Sequence, residues 1–159
     1  MGLGEELGCR LRKKGKTIAV AESMTGGLVA SLITDVPGSS DYFVGGVVAY
    51  SNEMKTKLLG VKPSTLEKFG AVSEQTAMEM AKGVREITGA GIGSSLTGIA
   101  GPGGGTDKKP VGLVYCAVDL GDDIGEVRKA IIEGNRLEVK RRAAELLIRM
   151  VIECLERIG

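Results

Sequence analysis

Short β-type runs alternate with amphipathic helical stretches along nearly the whole chain, and this alternation limits the fold more than any other feature of the sequence. Thr17–Ala21 is a compact apolar run, and after a break a helical stretch runs from Leu28 to Val36, stopped by Pro37-Gly38. Phe43–Tyr50 reads as a second strand, with Ser51 or Asn52 as the cap of a helix through Leu59. Pro63 and Ser64 open a one-turn helix. Ser73 caps a longer helix from Glu74 to about Thr88, with Ala77, Met80, Ala81, Val84 and Ile87 at helical spacing. Ile92 to Ile99 is a strand, while Val111–Leu120 and Glu126–Glu133 flank a Gly121-Asp122-Asp123 turn as a hairpin would. A basic helix over 5–14, with Leu7 and Leu11 inward and Gly15 at its end, opens the chain. A long helix over about 136–158 closes it, with Val139, Ala143, Leu147, Met150, Val151 and Cys154 on one stripe. The pattern predicts an α/β chain: a three-layer α/β/α sandwich over a mixed, mostly parallel sheet. A length of 159 residues fits one domain spanning 1–159.

Composition narrows the function classes. Lys+Arg 21 against Asp+Glu 20 leaves a net charge of +1, so no single-sign field invites nucleic acid. Aromatic residues are 3%, which leaves few stacking platforms for single strands. Three well-separated cysteines (Cys9, Cys116 and Cys154) without a paired spacing read as buried thiols of a reducing compartment. No run approaches the roughly 18 apolar residues of a membrane span, and the N-terminal residues do not read as a signal peptide. The expectation is a cytoplasmic protein with neither nucleic acid nor membrane as partner. His is 0, which removes Ser-His-Asp and Cys-His catalysis and every His-ligated metal site. Acid–base chemistry therefore falls to carboxylate, Lys, Tyr or Cys. Gly, at 25 of 159 residues, is about twice as frequent as usual, and points to tight turns and backbone open to ligands.

Three segments stand out, each after a strand, where open α/β sheets bind ligands. In Glu22-Ser23-Met24-Thr25-Gly26-Gly27, a hydroxyl at a sharp strand-to-helix turn is expected to be exposed and to face free backbone N–H groups. Those amides suit a phosphate or the oxyanion of acyl transfer; the plainer alternative is that Ser23 or Thr25 caps the helix. In Tyr50-Ser51-Asn52-Glu53-Met54-Lys55, Lys55 is the natural base for a serine nucleophile once histidine is absent, provided burial depresses its pKa. The alternative is an ordinary surface charge. Gly98–Gly105 is neither a Walker loop nor a dinucleotide fingerprint, and reads equally as a phosphate or ribose cradle and as a long glycine-rich turn. Arg136 sits at a helix N-terminus, where a bound anion explains a cation better than helix stability does.

Together these segments resemble the CinA C-terminal domain family, the nicotinamide-nucleotide amidases of PncC type. The matching stretches are AESMTGG at 21–27, DVPGSSDYFVGGVVAYSNEMKTKLLGV at 35–61, GAVSEQTAMEMAKG at 70–83, LTGIAGPGGGTDKKPVGLVY at 96–115 and GNR at 134–136. Larger members carry a preceding molybdopterin-binding-like domain, and this chain resembles the stand-alone form. The resemblance implies hydrolysis of the amide of nicotinamide mononucleotide (NMN) to nicotinic acid mononucleotide and ammonia, without metal or cofactor. It implies Ser23 and Lys55 as catalytic pair with Tyr50 beside them as a catalytic proton relay, and Thr25, Gly26, Gly27, Ser40, Gly98, Gly101, Gly103 and Arg136 on the substrate-binding side. A small-molecule nucleotide is the implied partner, and a homo-oligomer of two or more copies the implied state. Many relatives have Cys where this chain has Met24, which leaves Ser23 as nucleophile. The competing reading is a nucleotide-binding regulatory module without catalysis.

Overall fold

The computed structural model describes residues 1–159 and orders five strands as β2-β1-β3-β4-β5. The elements in chain order are α1 (Leu3–Lys14), β1 (Ile18–Glu22), α2 (Leu28–Thr34), β2 (Phe43–Val48), α3 (Asn52–Leu59), α4 (Pro63–Phe69), α5 (Glu74–Thr88), β3 (Ile92–Gly98), β4 (Leu113–Asp119), β5 (Gly125–Ile131) and α6 (Arg136–Arg157). β1 pairs in parallel with β2 and with β3, and β4 pairs antiparallel with β3 and with β5. Four strands therefore point one way and only β4 opposes them. The mixed, mostly parallel α/β/α sandwich expected from the sequence is the observed fold.

Alternation along β1 decides what each face of the sheet becomes. Ile18 and Val20 point into the larger core, with Leu96 and Val114, under α1, α2 and α6. Ala19 and Ala21 point to the other face, under α3 and α5. That second face is lined by small residues, and α5 lies against it accordingly closely. A Cβ added at Gly93 would lie 2.1 Å from the Ala81 carbonyl oxygen of α5, and one at Gly83 would lie 1.8 Å from that of Leu59 in α3. The Ser95 hydroxyl donates to the Ala77 carbonyl across the same contact. The layer spacing is thus set by missing side chains. No helix is long and apolar enough to cross a membrane.

Three expectations need correction. Ile87 lies at helical spacing yet is 60% exposed, because the contact face of α5 ends at Val84, its last buried residue, one turn earlier. α4 runs seven residues rather than one turn, since Pro63 begins it without losing a needed N–H. Cys116 and Cys154 are buried, but Cys9 is exposed on the outer side of α1.

Gly93→Ala should cost about 3 kcal/mol of stability or more, because the added carbon meets backbone that cannot move alone. Gly103→Ala, whose added carbon meets nothing within 4 Å, should change it by less than about 0.5 kcal/mol. Urea midpoints of the two variants compared with wild type check this.

Candidate active site

β1 and β2 are parallel neighbours, paired from Ile18↔Phe43 to Glu22↔Val48 with one extra residue, Val44, bulged from β2, so the loops that follow them emerge side by side. The Ala49 N–H extends the ladder one step by donating to the Glu22 carbonyl at 2.9 Å. Ser51 then caps α3, its hydroxyl accepting from Met54 N–H at 3.1 Å. Lys55 follows one turn into α3 and turns back toward the strand ends. Its amine donates to the carbonyls of Ala49 at 3.0 Å and Tyr50 at 2.9 Å, and lies 3.0 Å from Ser23 Oγ. Lys55 is 1% exposed and Ser23 7% exposed. Burial pushes the Lys55 amine down to about 8. No carboxylate pairs with it. A neutral amine has two N–H donors and one lone pair, so with both donors on carbonyls the lone pair is left for the Ser23 hydroxyl.

The turn after β1 is held from behind by Glu22, a buried carboxylate that the sequence motifs did not single out. Gly26 and Gly27 take left-handed φ values of 62° and 106°, which reverses the chain between strand and helix. The cap position of α2 is Gly27, which has no side chain to offer. Glu22 fills that role: Oε1 accepts from Thr25 Oγ1 at 2.6 Å, Gly27 N–H at 3.2 Å and Val29 N–H at 2.9 Å, and Oε2 accepts from Ala30 N–H at 3.0 Å. Neither Ser23 nor Thr25 is therefore the cap. Ser23, expected to stand exposed, is buried against Lys55. The Gly26 amide donates to the Ser23 carbonyl at 3.1 Å, and the Gly27 amide is spent on Glu22. Within this turn the Met24 and Thr25 amides donate to no group of the chain. Of the Thr25-Gly26-Gly27 amides that suit an oxyanion by sequence, only that of Thr25 stays free, and the Met24 amide joins it, while the Thr25 hydroxyl is already committed.

Arg136 is the first residue of α6, where Asn135 and Glu138 form a capping box. Its guanidinium donates to the Gly101 carbonyl at 2.6 Å and reaches the Tyr50 hydroxyl at 3.5 Å. Tyr50 is 62% exposed and serves Lys55 through its carbonyl, so its phenol stands at Arg136 and not in a relay to the amine. The glycine-rich segment is the connection from β3 to β4, closed by Gly112 N–H to Ile99 O at 2.7 Å. Gly98 and Gly101 serve close packing there: an added Cβ would lie 2.7 Å from Leu113 O and 2.4 Å from Val111 Cγ1 respectively. Gly103 is open to solvent. Ser40 does not join the others. It lies in a 3-10 turn, Ser39–Asp41, before β2, about 16 Å of strand from the Ser23 end.

The sequence model of the CinA C-terminal domain matches residues 2–155. The chain belongs to the CinA C-terminal domain family. A CinA-like protein of Kosmotoga olearia is 53% identical over 145 residues, which cover 91% of this chain and 35% of that protein. A CinA-like protein of Synechocystis is 55% identical over 131 residues, 82% of this chain and 31% of that one. The chain thus spans about a third of the length of these curated relatives. Among solved structures, the competence damage-inducible protein A of Klebsiella pneumoniae superposes with a TM-score of 0.95 at 30% identity, covering 99% of this chain and 97% of that one. The competence/damage inducible protein CihA of Agrobacterium tumefaciens does so with a TM-score of 0.90 at 38% identity, covering 99% and 98%.

The sequence of this CinA-family chain does carry a signal for Glu22. A carboxylate ends an otherwise apolar strand run, and the helix that follows opens on Gly27-Leu28 with no cap residue of its own. The depressed Lys55 amine also has a consequence for stability. Its folded value of about 8 lies below the 10.5 of a free lysine amine, so between those pH values the unfolded chain binds more protons. Stability should therefore rise with pH across that window, by about 3 kcal/mol relative to Lys55→Met. Urea unfolding of both proteins from pH 7.5 to 10.5 tests it; a constant difference would mean an ordinary lysine.

Proposed function

We propose that this chain is an amidohydrolase that hydrolyses the amide of NMN to nicotinic acid mononucleotide and ammonia through a Ser23–Lys55 pair. The observation that carries the reading is the buried Lys55 amine, lowered to about 8, 3.0 Å from Ser23 Oγ. Lys55 takes the Ser23 proton as Oγ bonds to the amide carbon, and the Met24 and Thr25 amides hold the resulting oxyanion. The intermediate collapses as Lys55 returns the proton to the nitrogen, which leaves as ammonia. Water then attacks the Ser23 ester, with Lys55 again accepting the proton, and releases the carboxylate. The chemistry uses no metal or cofactor.

Arg136 supports the nucleotide part of the reading. It is exposed, and one of its terminal nitrogens is held by Gly101, which orients the rest of the fork toward a phosphate. The exposed Tyr50 ring beside it offers an aromatic face to a cationic pyridine ring.

Ammonia release across a panel of amides with NMN included is the decisive assay; saturable NMN binding without turnover would replace this reading with a binding module. Ser23→Ala should abolish release and retain binding. The rate should climb with pH along a limb near 8, following deprotonation of Lys55. Lys55→Arg should lose as much as Lys55→Ala, at least about a hundredfold, since a guanidinium stays protonated. An Arg variant that keeps most activity would reduce Lys55 to a source of charge.

Arg136→Ala should raise KM for NMN with little change in kcat, because a phosphate contact is held equally in ground and transition states. The dephosphorylated riboside should feel the substitution far less. Equal losses on both substrates would make Arg136 a structural residue.

A further inference from the structure

We infer that Glu22 is a positioning residue for the nucleophile: by capping α2 from the end of β1, it holds the Ser23-Met24-Thr25 turn in the geometry that attack requires. The inference rests on the proposed Ser23–Lys55 chemistry and goes beyond it by naming what orients the serine. Glu22 touches neither the Ser23 hydroxyl nor the Lys55 amine, so it acts through the turn. It is 1% exposed and has no cation on it; every partner recorded for its carboxylate is a donor from the turn or the first residues of α2.

The covalent neighbour of Ser23 is thereby tied to residues 25, 27, 29 and 30 at once. Residues 23–26 form a loop closed at both ends, and its remaining freedom is taken by the Gly26 N–H to Ser23 carbonyl bond. Two consequences bear on the reaction. The Ser23 side chain is left facing Lys55, and the Met24 and Thr25 amides are left unspent because Glu22 serves the amides further along. A glutamine has the same shape but replaces one acceptor oxygen with an N–H donor, which must then face either Ala30 N–H or the Gly27 and Val29 N–H groups. That opposition displaces the turn while leaving the side-chain volume unchanged. Thr25→Val removes a single hydroxyl bond and keeps the shape.

The test reads Ser23 directly, with a fluorophosphonate that phosphonylates activated serines, alongside thermal unfolding. Wild type should be labelled at Ser23, and Ser23→Ala should not be. If wild type is not labelled, Ser23 is not activated and the Ser–Lys reading falls together with this inference. With wild type labelled, Glu22→Gln should react about ten- to a hundredfold more slowly while its thermal transition stays cooperative. Thr25→Val should react about fivefold more slowly. NMN turnover should show the same losses in kcat with KM near the wild-type value, a split that general loosening of the fold would not produce. Labelling of Glu22→Gln at the wild-type rate overturns the inference and leaves the Ser–Lys reading standing. Should Glu22→Gln fail to fold, Thr25→Val decides alone: slower labelling supports the role and an unchanged rate overturns it.

Discussion

A lysine amine is buried here with only neutral oxygens for company, and the rest of the candidate site is arranged around that fact. Burying an ammonium is costly, and an adjacent carboxylate is the usual remedy. A carboxylate is at hand, since Glu22 precedes Ser23 in the chain. Had the two paired, the ammonium would have been stabilised and its use as a base lost. Instead Glu22 directs its oxygens at the start of α2, and Lys55 places its donors on the carbonyls of Ala49 and Tyr50. Two opposite charges are satisfied separately on either side of one serine. The protonated amine, with three donors, finds three acceptors, and the neutral amine finds two acceptors and a hydroxyl donor. Both protonation states are therefore fully bonded, which is what a group that must cycle between them needs.

The sheet supports this arrangement by being thin on one side. Ala19 and Ala21, next to Glu22, face the layer of α3 and α5, and Gly83 and Gly93 let backbone approach backbone there. Larger residues would hold α3 away from the strand ends, and Lys55 would not reach Ser23. The small residues that read as mere turn-formers in composition thus bear on the site as well. Their contribution is distance, a quantity that a count of glycines does not reveal.

Much of the architecture was legible in the chain, and the exceptions share a cause. Helix caps at Ser51 and Ser73 and the succession of strands and helices follow from local chemistry, so local signals find them. Periodicity puts Ile87 inward because it states which face a residue shares but not where the partner surface stops. The resemblance implies Thr25 in substrate binding and Tyr50 in catalysis, whereas the structure engages the Thr25 hydroxyl with Glu22 and places the Tyr50 carbonyl, not its phenol, on Lys55. Backbone carbonyls carry no sequence signature at all. Glu22 does not stand out by residue type, because a charged residue at a strand end usually faces solvent; only the capless start of the next helix points to its inward role.

Strand direction explains which candidates converge and which one does not. β1, β2, β3 and β5 run the same way, so the segments leaving them all emerge at one edge of the sheet. Ser23 leaves β1, Lys55 leaves β2, Gly101 leaves β3, and Arg136 follows β5. Each was drawn from a different part of the sequence, and the sheet gathers them because each comes after a strand. Ser40 belongs to the same matched stretch as Lys55, only 15 residues away in number, yet it comes before β2 and so lies at the opposite edge. Position relative to a strand, rather than proximity in the chain or membership of a shared motif, sorts the residues that can act together here. Within a single copy of this chain, that rule leaves Ser40 no route to Ser23, because the whole length of β2 stands between them.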